Sequence, residues 1–398
     1  MTIGDYTASK SQSKLLTDIL NGTLSNIIDS SGSISSIGSF AFCNKPDLSL
    51  ISLPSCTVVS NNAFSGCTKL SAISLPKCTT LGSYAFEGCT SLASLSVSKC
   101  TTIESYAFKD CVSLNTINAA SCSFLGEGAF YGCSNLLSIA FPLCSEIPFN
   151  GFYDCIHLAQ VSFGSCQEIG SYAFYNCSSL IDVSFSKCLY IGAEAFKGCN
   201  LLSTISFPSC ISIGSSAFEG CGSLTGIVFP CCETVNKNAF ASCSWITSAI
   251  FPAVLNIGNE AFKDCTRLIN LSASNCITVA SSAFKNCGLL TSINLEDCTI
   301  LDQMAFQFCS TLSTVELPNI TYIYEQAFES CYNLVSLYMA GSTVCSLSGS
   351  LVFNSTPIDG YSAVAGQVGS IYVPSSLYSN YVSASGWSLY SSRFASIE

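Results

Sequence analysis

The sequence predicts an α/β repeat solenoid: a single elongated domain of about fourteen 22-residue coils, with a parallel sheet on one face and a helical cap at each end. Three periodic features carry that expectation. An Ala-Phe pair, Gly-Phe in one copy, places Phe at 42, 64, 86 and onward in steps of 22 to 328, fourteen copies without an insertion. Six residues after each Phe stands an aliphatic residue, Leu in every copy except Ile246. Thirteen Cys fall three after the Phe, from Cys67 to Cys331, and eleven fall fourteen after it, from Cys56 to Cys298. A fixed period in this range marks a unit that cannot bury its own apolar face and does so by stacking on its neighbours.

The second half of each unit predicts the strand. Leu202-x-x-Ile205-x-Phe207-x-x-Cys210 fits the leucine-rich-repeat pattern, in which alternating apolar residues point inward from a short strand. Many copies end this strand at Pro, as at Pro54, Pro142, Pro208 and Pro318, because Pro supplies no ladder donor. An aliphatic residue seventeen after the Phe, often followed by Gly as in Ile213-Gly214, should turn the chain on the convex side. The Ala-Phe segment is too short for a full helix and reads as one helical turn.

The ends break the pattern. Residues 1–36 read as an N-terminal helical cap, with Leu15, Leu16, Ile19, Leu20, Leu24 and Ile27 at helix-like spacing. The repeats occupy 37–340. Residues 341–398 form an irregular last repeat and a C-terminal cap, since Phe353 arrives 25 residues after Phe328. There Ser370-Ile371-Tyr372-Val373-Pro374 reads as a last strand, and Tyr381, Trp387, Tyr390 and Phe394 as an aromatic-rich helical cover for the exposed end.

Composition narrows the function classes. Hydrophobic residues make up 49% and charged residues 10%, yet Ser, Gly, Asn or Thr interrupts every few positions, so no run can span a membrane as a helix. A net charge of -11, scattered without runs, disfavours nucleic acid and anionic membrane, both of which need clustered Lys and Arg. Only two Arg occur, Arg267 and Arg393. The start shows no basic segment followed by an apolar block, which sets a cytoplasmic default.

Of 27 Cys, only Cys43, Cys231 and Cys345 lie outside the two ladders. Side chains in a ladder point one way and the total is odd, so these are expected to be buried free thiols acting as small hydrophobes, in a reducing setting. Metal binding would need recurring Cys-x-x-Cys pairs or His partners, and neither recurs. Two after the Phe, Gly66, Gly88 and Gly132 alternate with Asp110, Asp154 and Asn176, a set that shares tolerance for positive φ, so these Asp are expected to be structural.

The repeated Ile-Gly-x-x-Ala-Phe-x-Gly-Cys-x-x-Leu-x-x-Ile-x-Phe-Pro-x-Cys resembles the BspA-like, or Treponema pallidum type, leucine-rich repeats of bacterial and protist cell-surface proteins, over residues 37–340. The closing Gly-Trp-Ser-Leu-Tyr-Ser-Ser-Arg-Phe resembles the terminal caps of such proteins in gut bacteria and their phages. The resemblance implies adhesion, with a protein or glycan ligand on a host or bacterial surface, and a location at the cell surface or outside the cell.

A search for chemistry yields little. His157 is the only histidine, at a variable position beside ladder Cys155, which removes most hydrolase templates that rely on a positioned His. Asp182 and Glu316 lie six coils apart, and Glu104 with Glu127 reads as solvated surface. No catalytic, cofactor-binding or metal residue is assigned.

The open face of the sheet is more informative. Eight and ten after each Phe stand small polar residues, and those at ten, Ser74, Ser96, Asn118, Ser162, Ser184, Ser206, Ser272 and Asn294, form the candidate ligand-contact strip. Aromatic platforms are scarce there until Tyr338, which favours a protein or repetitive-polymer ligand over a glycan. The function expected is a non-catalytic binding or adhesion module, with a phage tail or receptor-binding component or an intracellular scaffold as alternatives.

Overall fold

The computed structural model describes residues 2–3, 25–361 and 367–398, and backbone contacts group the chain into two compact units. The first comprises 1–188 with 198–200, and the second 189–197 with 201–398. Each is a stack of 22-residue coils.

In the first unit, three-residue strands recur once per coil from Asn26–Ile28 and Leu50–Ser52 to Asp182–Ser184. They pair in parallel and in register, Ser94 with Thr116 and Thr116 with Ser138. A second set of two-residue strands, Val58–Val59, Thr80–Leu81 and Thr102–Ile103 among them, forms another parallel ladder where only a turn was expected. The second unit repeats both sets, from Tyr190–Ile191 to Ser346–Leu347 and from Thr204–Ser206 to Ser370–Pro374.

The Ala-Phe segment is not a helical turn. Asn62 and Gly66 flank Phe64 at φ of 56° and 76°. The N–H groups of Asn62, Phe64 and Gly66 donate to Ser83, Ala85 and Glu87 of the next coil at 2.8 to 2.9 Å. A helical turn would point these groups along its own axis and leave adjacent coils unbonded. Left-handed residues on both sides of the Phe turn three N–H groups per coil toward the neighbour instead. The position two before the Phe carries bulky residues in this conformation, including Tyr84, Tyr106, Glu194 and Met304. The Gly, Asn and Asp pattern marks only the flank after the Phe.

The core is a set of ladders. Ladder Phe rings stack at 5.1 to 5.8 Å with near-parallel planes, as in Phe64 with Phe86 and Phe218 with Phe240. Seven ladder Phe fall in the first unit and eight in the second, because Phe353 stacks on Phe328 at 5.7 Å. The two units therefore hold fifteen stacked Phe where about fourteen coils were expected: the last repeat is three residues longer, yet Phe353 still stacks on Phe328. Both Cys ladders are buried and free.

The ends differ from the helical caps predicted. The helix-like spacing at 15–24 lies outside the described residues, while Thr2–Ile3 pairs with Ser36–Ile37 as strand and Asn26–Ile28 pairs with Leu50–Ser52. At the other end only Tyr378–Ser383 is α-helical, flanked by 3-10 turns Ser375–Leu377 and Trp387–Arg393. A final strand, Phe394–Ile397, extends the sheet beside Ser370–Pro374. Its aromatic side chains still cover the core: the indole N–H of Trp387 donates to Cys345 O at 2.6 Å, and Cys345 N donates to the Tyr381 hydroxyl at 3.0 Å.

Candidate functional site

On every three-residue strand the middle side chain points into the core and the outer two point away. Ile51 and Leu95 are buried, whereas Ser94, Ser96, Thr116 and Asn118 are exposed. All eight candidate contact residues are exposed, five in the first unit (Ser74, Ser96, Asn118, Ser162, Ser184) and three in the second (Ser206, Ser272, Asn294). Strand pairing sets Ser96 beside Asn118 and Ala140 beside Ser162, one strand spacing, about 4.8 Å, apart.

The hydroxyl row one residue ahead of the strand behaves differently. Ser71 Oγ donates to Ser49 O and Thr247 Oγ1 to Thr225 O, so these hydroxyls tie coil to coil. The side chains of the eight candidate residues have no hydrogen-bond partner among the described residues. Their donors and acceptors face outward unused. In the first unit the strip sinks into an open depression of about 490 Å³, lined by Thr116, Ser138, Ala140, Gln160, Ser162 and Asp182. The small Ala140 side chain leaves room between its longer neighbours.

The strip is not uniformly polar. In the second unit Val228 and Ile250 hold outward strand positions at 51% and 37% exposure. On the loop leading into the strand, Trp245 is 51% exposed and the Arg267 guanidinium lies over its ring, 3.8 Å from the centroid. Sequence reasoning passed over these residues; the signal available was their departure from the repeat consensus at outward positions. Tyr338 and Tyr372, paired on neighbouring strands, stack at 4.4 Å.

The groups weighed for chemistry sit apart from one another. His157 is exposed and its Nδ1 lies 2.7 Å from Ser134 O. Asp182 and Glu316 are exposed on strands of different units. Glu127 accepts a hydrogen bond from the Tyr106 hydroxyl at 2.6 Å, which pushes that phenol up to about 12. Burial raises three of the ladder thiols in particular: Cys67 is pushed up to about 11, Cys78 to about 12, and Cys111 well above the usual thiol range, whereas the hydrogen bond with Cys122 lowers Cys144. A thiol held protonated by burial is a weak nucleophile at neutral pH. Among the described residues no group of three or more His, Cys, Asp or Glu is placed to hold a metal ion, and no helix is long and apolar enough to cross a membrane.

Comparison with known proteins agrees with this architecture. The model of the BspA type leucine rich repeat region matches six copies, at residues 20–137, 123–247 and 233–357. A leucine-rich repeat protein from Bacteroides ovatus superposes with a TM-score of 0.60 at 24% identity, over 82% of this chain and 83% of that one. A leucine rich cell surface protein from Faecalibacterium prausnitzii is also 24% identical, over 86% and 92% of the two chains, with a TM-score of 0.42. No curated protein matches the sequence.

Proposed function

The chain belongs to the BspA type of leucine-rich-repeat proteins, and from that premise we propose that it is a non-catalytic adhesion protein whose outward strand residues bind a protein or surface polymer. Repeat proteins of this kind generally mediate protein binding. The reading rests on one observation above others: the side chains of the eight strip residues are exposed and unpartnered, while the neighbouring hydroxyl row is spent on holding coils together. Many weak hydrogen bonds spread over a regular surface suit an extended ligand better than a small molecule.

Two measurements test it. Surface proteolysis of intact source cells, with mass spectrometry of the released peptides, is expected to find the chain accessible from outside. Adherence of the purified full chain to bacterial cells and to immobilised host matrix proteins is then compared with that of a variant carrying Ser96→Arg, Asn118→Arg and Ser162→Arg. The variant should keep its circular dichroism and lose adherence. Equal adherence of the two proteins, or confinement of the chain to the cytosol, sinks the reading.

A further inference from the structure

In the second unit, the outward positions five, seven, eight and ten residues after the ladder Phe, in the five coils that begin at Phe196, Phe218, Phe240, Phe262 and Phe284, contain no Asp or Glu. They contain one cation, Arg267. In a chain of net charge -11 this is a local reversal of sign. Arg267 has no carboxylate partner among the described residues; its contact is the Trp245 ring, with the guanidinium carbon Cζ over the ring 3.8 Å from its centroid. A guanidinium held over an aromatic face can still donate its N–H groups to a carboxylate in bidentate fashion. Around the pair the polar strip gives way to aliphatic side chains: Val228 and Ile250 on the strands, and Ile269 and Leu289 on the coils that follow. Ile250 lies five residues from Trp245, within about 17 Å at strand rise.

We infer that this surface is the principal anchor for a protein partner: an extended acidic segment that places a carboxylate on Arg267 and apolar side chains over Val228 and Ile250. The inference deepens the adhesion reading and rests on it. Trp and Arg are residue types on which binding energy concentrates. A sugar polymer bearing carboxylates could use the guanidinium, but it has no use for four exposed aliphatic side chains, and Arg267 covers one face of the indole that a sugar ring would need.

Tryptophan emission gives a direct readout, since Trp387, the second of the two tryptophans, is fully buried and Trp245 is not. The full chain is titrated with synthetic twelve-residue peptides in which Asp and Glu alternate with Leu and Phe, with counterparts carrying Asn and Gln or Lys instead, and with polygalacturonate. The acidic peptide is expected to shift Trp245 emission saturably, to bind more weakly as salt rises, and to exceed the amide peptide by about tenfold, the scale of a hydrogen bond to a charged group. Arg267→Gln should erase that preference, and Trp245→Phe the signal. Equal binding of the amide or Lys peptide, no binding of the acidic peptide, an unaffected Arg267→Gln, or binding of polygalacturonate alone overturns the inference. Adherence to cells separates the two ideas. If the triple Arg strip variant loses adherence while Arg267→Gln keeps it, this anchor fails and the adhesion reading stands; if neither variant loses it, both fail.

Discussion

The Sγ–H of Cys243 donates to the carbonyl oxygen of Phe218 in the preceding coil, 3.0 Å away. That oxygen already accepts Cys221 N–H at 3.0 Å within its own coil. Both lone pairs of a fully buried carbonyl are thereby used, and the pattern repeats at Cys89 with Phe64 and Cys287 with Phe262. The ladder Cys is a small apolar filler that also completes the hydrogen bonding of the turn beneath it.

Cys243→Ala should accordingly lower stability by about 1–2 kcal/mol, combining lost apolar burial with a half-satisfied carbonyl. Urea unfolding followed by circular dichroism measures it. An unchanged midpoint would show that the thiol adds neither packing nor hydrogen bonding to stability.

Alkaline pH should destabilise the fold. Burial raises the folded thiols above their ordinary 9.0, Cys67 to about 11 and Cys78, Cys210 and Cys276 to about 12. Below pH 9 folded and unfolded thiols are both protonated and stability is complete. Between pH 9 and those raised values the unfolded chain releases protons that the folded chain keeps, so each of these four thiols removes up to about 1.4 kcal/mol of stability per pH unit. The urea midpoint should be level from pH 7 to 8.5 and then fall steeply; a level midpoint through pH 10.5 contradicts the burial.

Among the described thiols Cys231 is exposed and Cys43 half-buried, while the two ladders are buried. A disulfide reagent at pH 8 should label Cys231 in a fast phase that Cys231→Ser removes, and should reach the ladder thiols only in denaturant. Rapid labelling of many thiols in the native protein would mean that the coils open readily.

Gly132→Ala and Gly220→Ala form a matched pair, with φ of 71° and 74°. Both incur the left-handed penalty, on the order of 1 kcal/mol. At Gly132 the new methyl would also meet Asp110 Oδ1, whereas at Gly220 nothing lies within 4 Å. Thermal unfolding should show Gly132→Ala to be the more damaging, and Asp110→Ala should relieve the excess.

Phe240→Ala removes a ring stacked on Phe218 and Phe262, each at 5.2 Å. A loss of about 3–5 kcal/mol is expected, because rungs on both sides hold the cavity open. Denaturant titration measures it, and a loss under 1 kcal/mol would indicate that the coils slide together to fill the gap.

The repeat, its strand and its inward residues were legible because they obey one period, and a period records which residues must stack. The outward direction of Ser96 and Asn118 followed from alternation along a strand. Other features follow no composition rule. Tyr84 and Met304 share a left-handed backbone that residue type does not announce; the demand comes from the next coil, whose carbonyls wait for their N–H groups. Phe353 stacks on Phe328 although it arrives 25 residues later, because the buried ring keeps its place in the stack while the connecting chain takes up the extra length. Trp245 and Arg267 are 22 residues apart and read separately as two irregular loop positions. By itself the sequence determined the coil, its core and its polar face, since each repeats in every unit. Which unlike residues meet across neighbouring coils was decided only by the stacking, which brings a guanidinium and an indole together on an open surface.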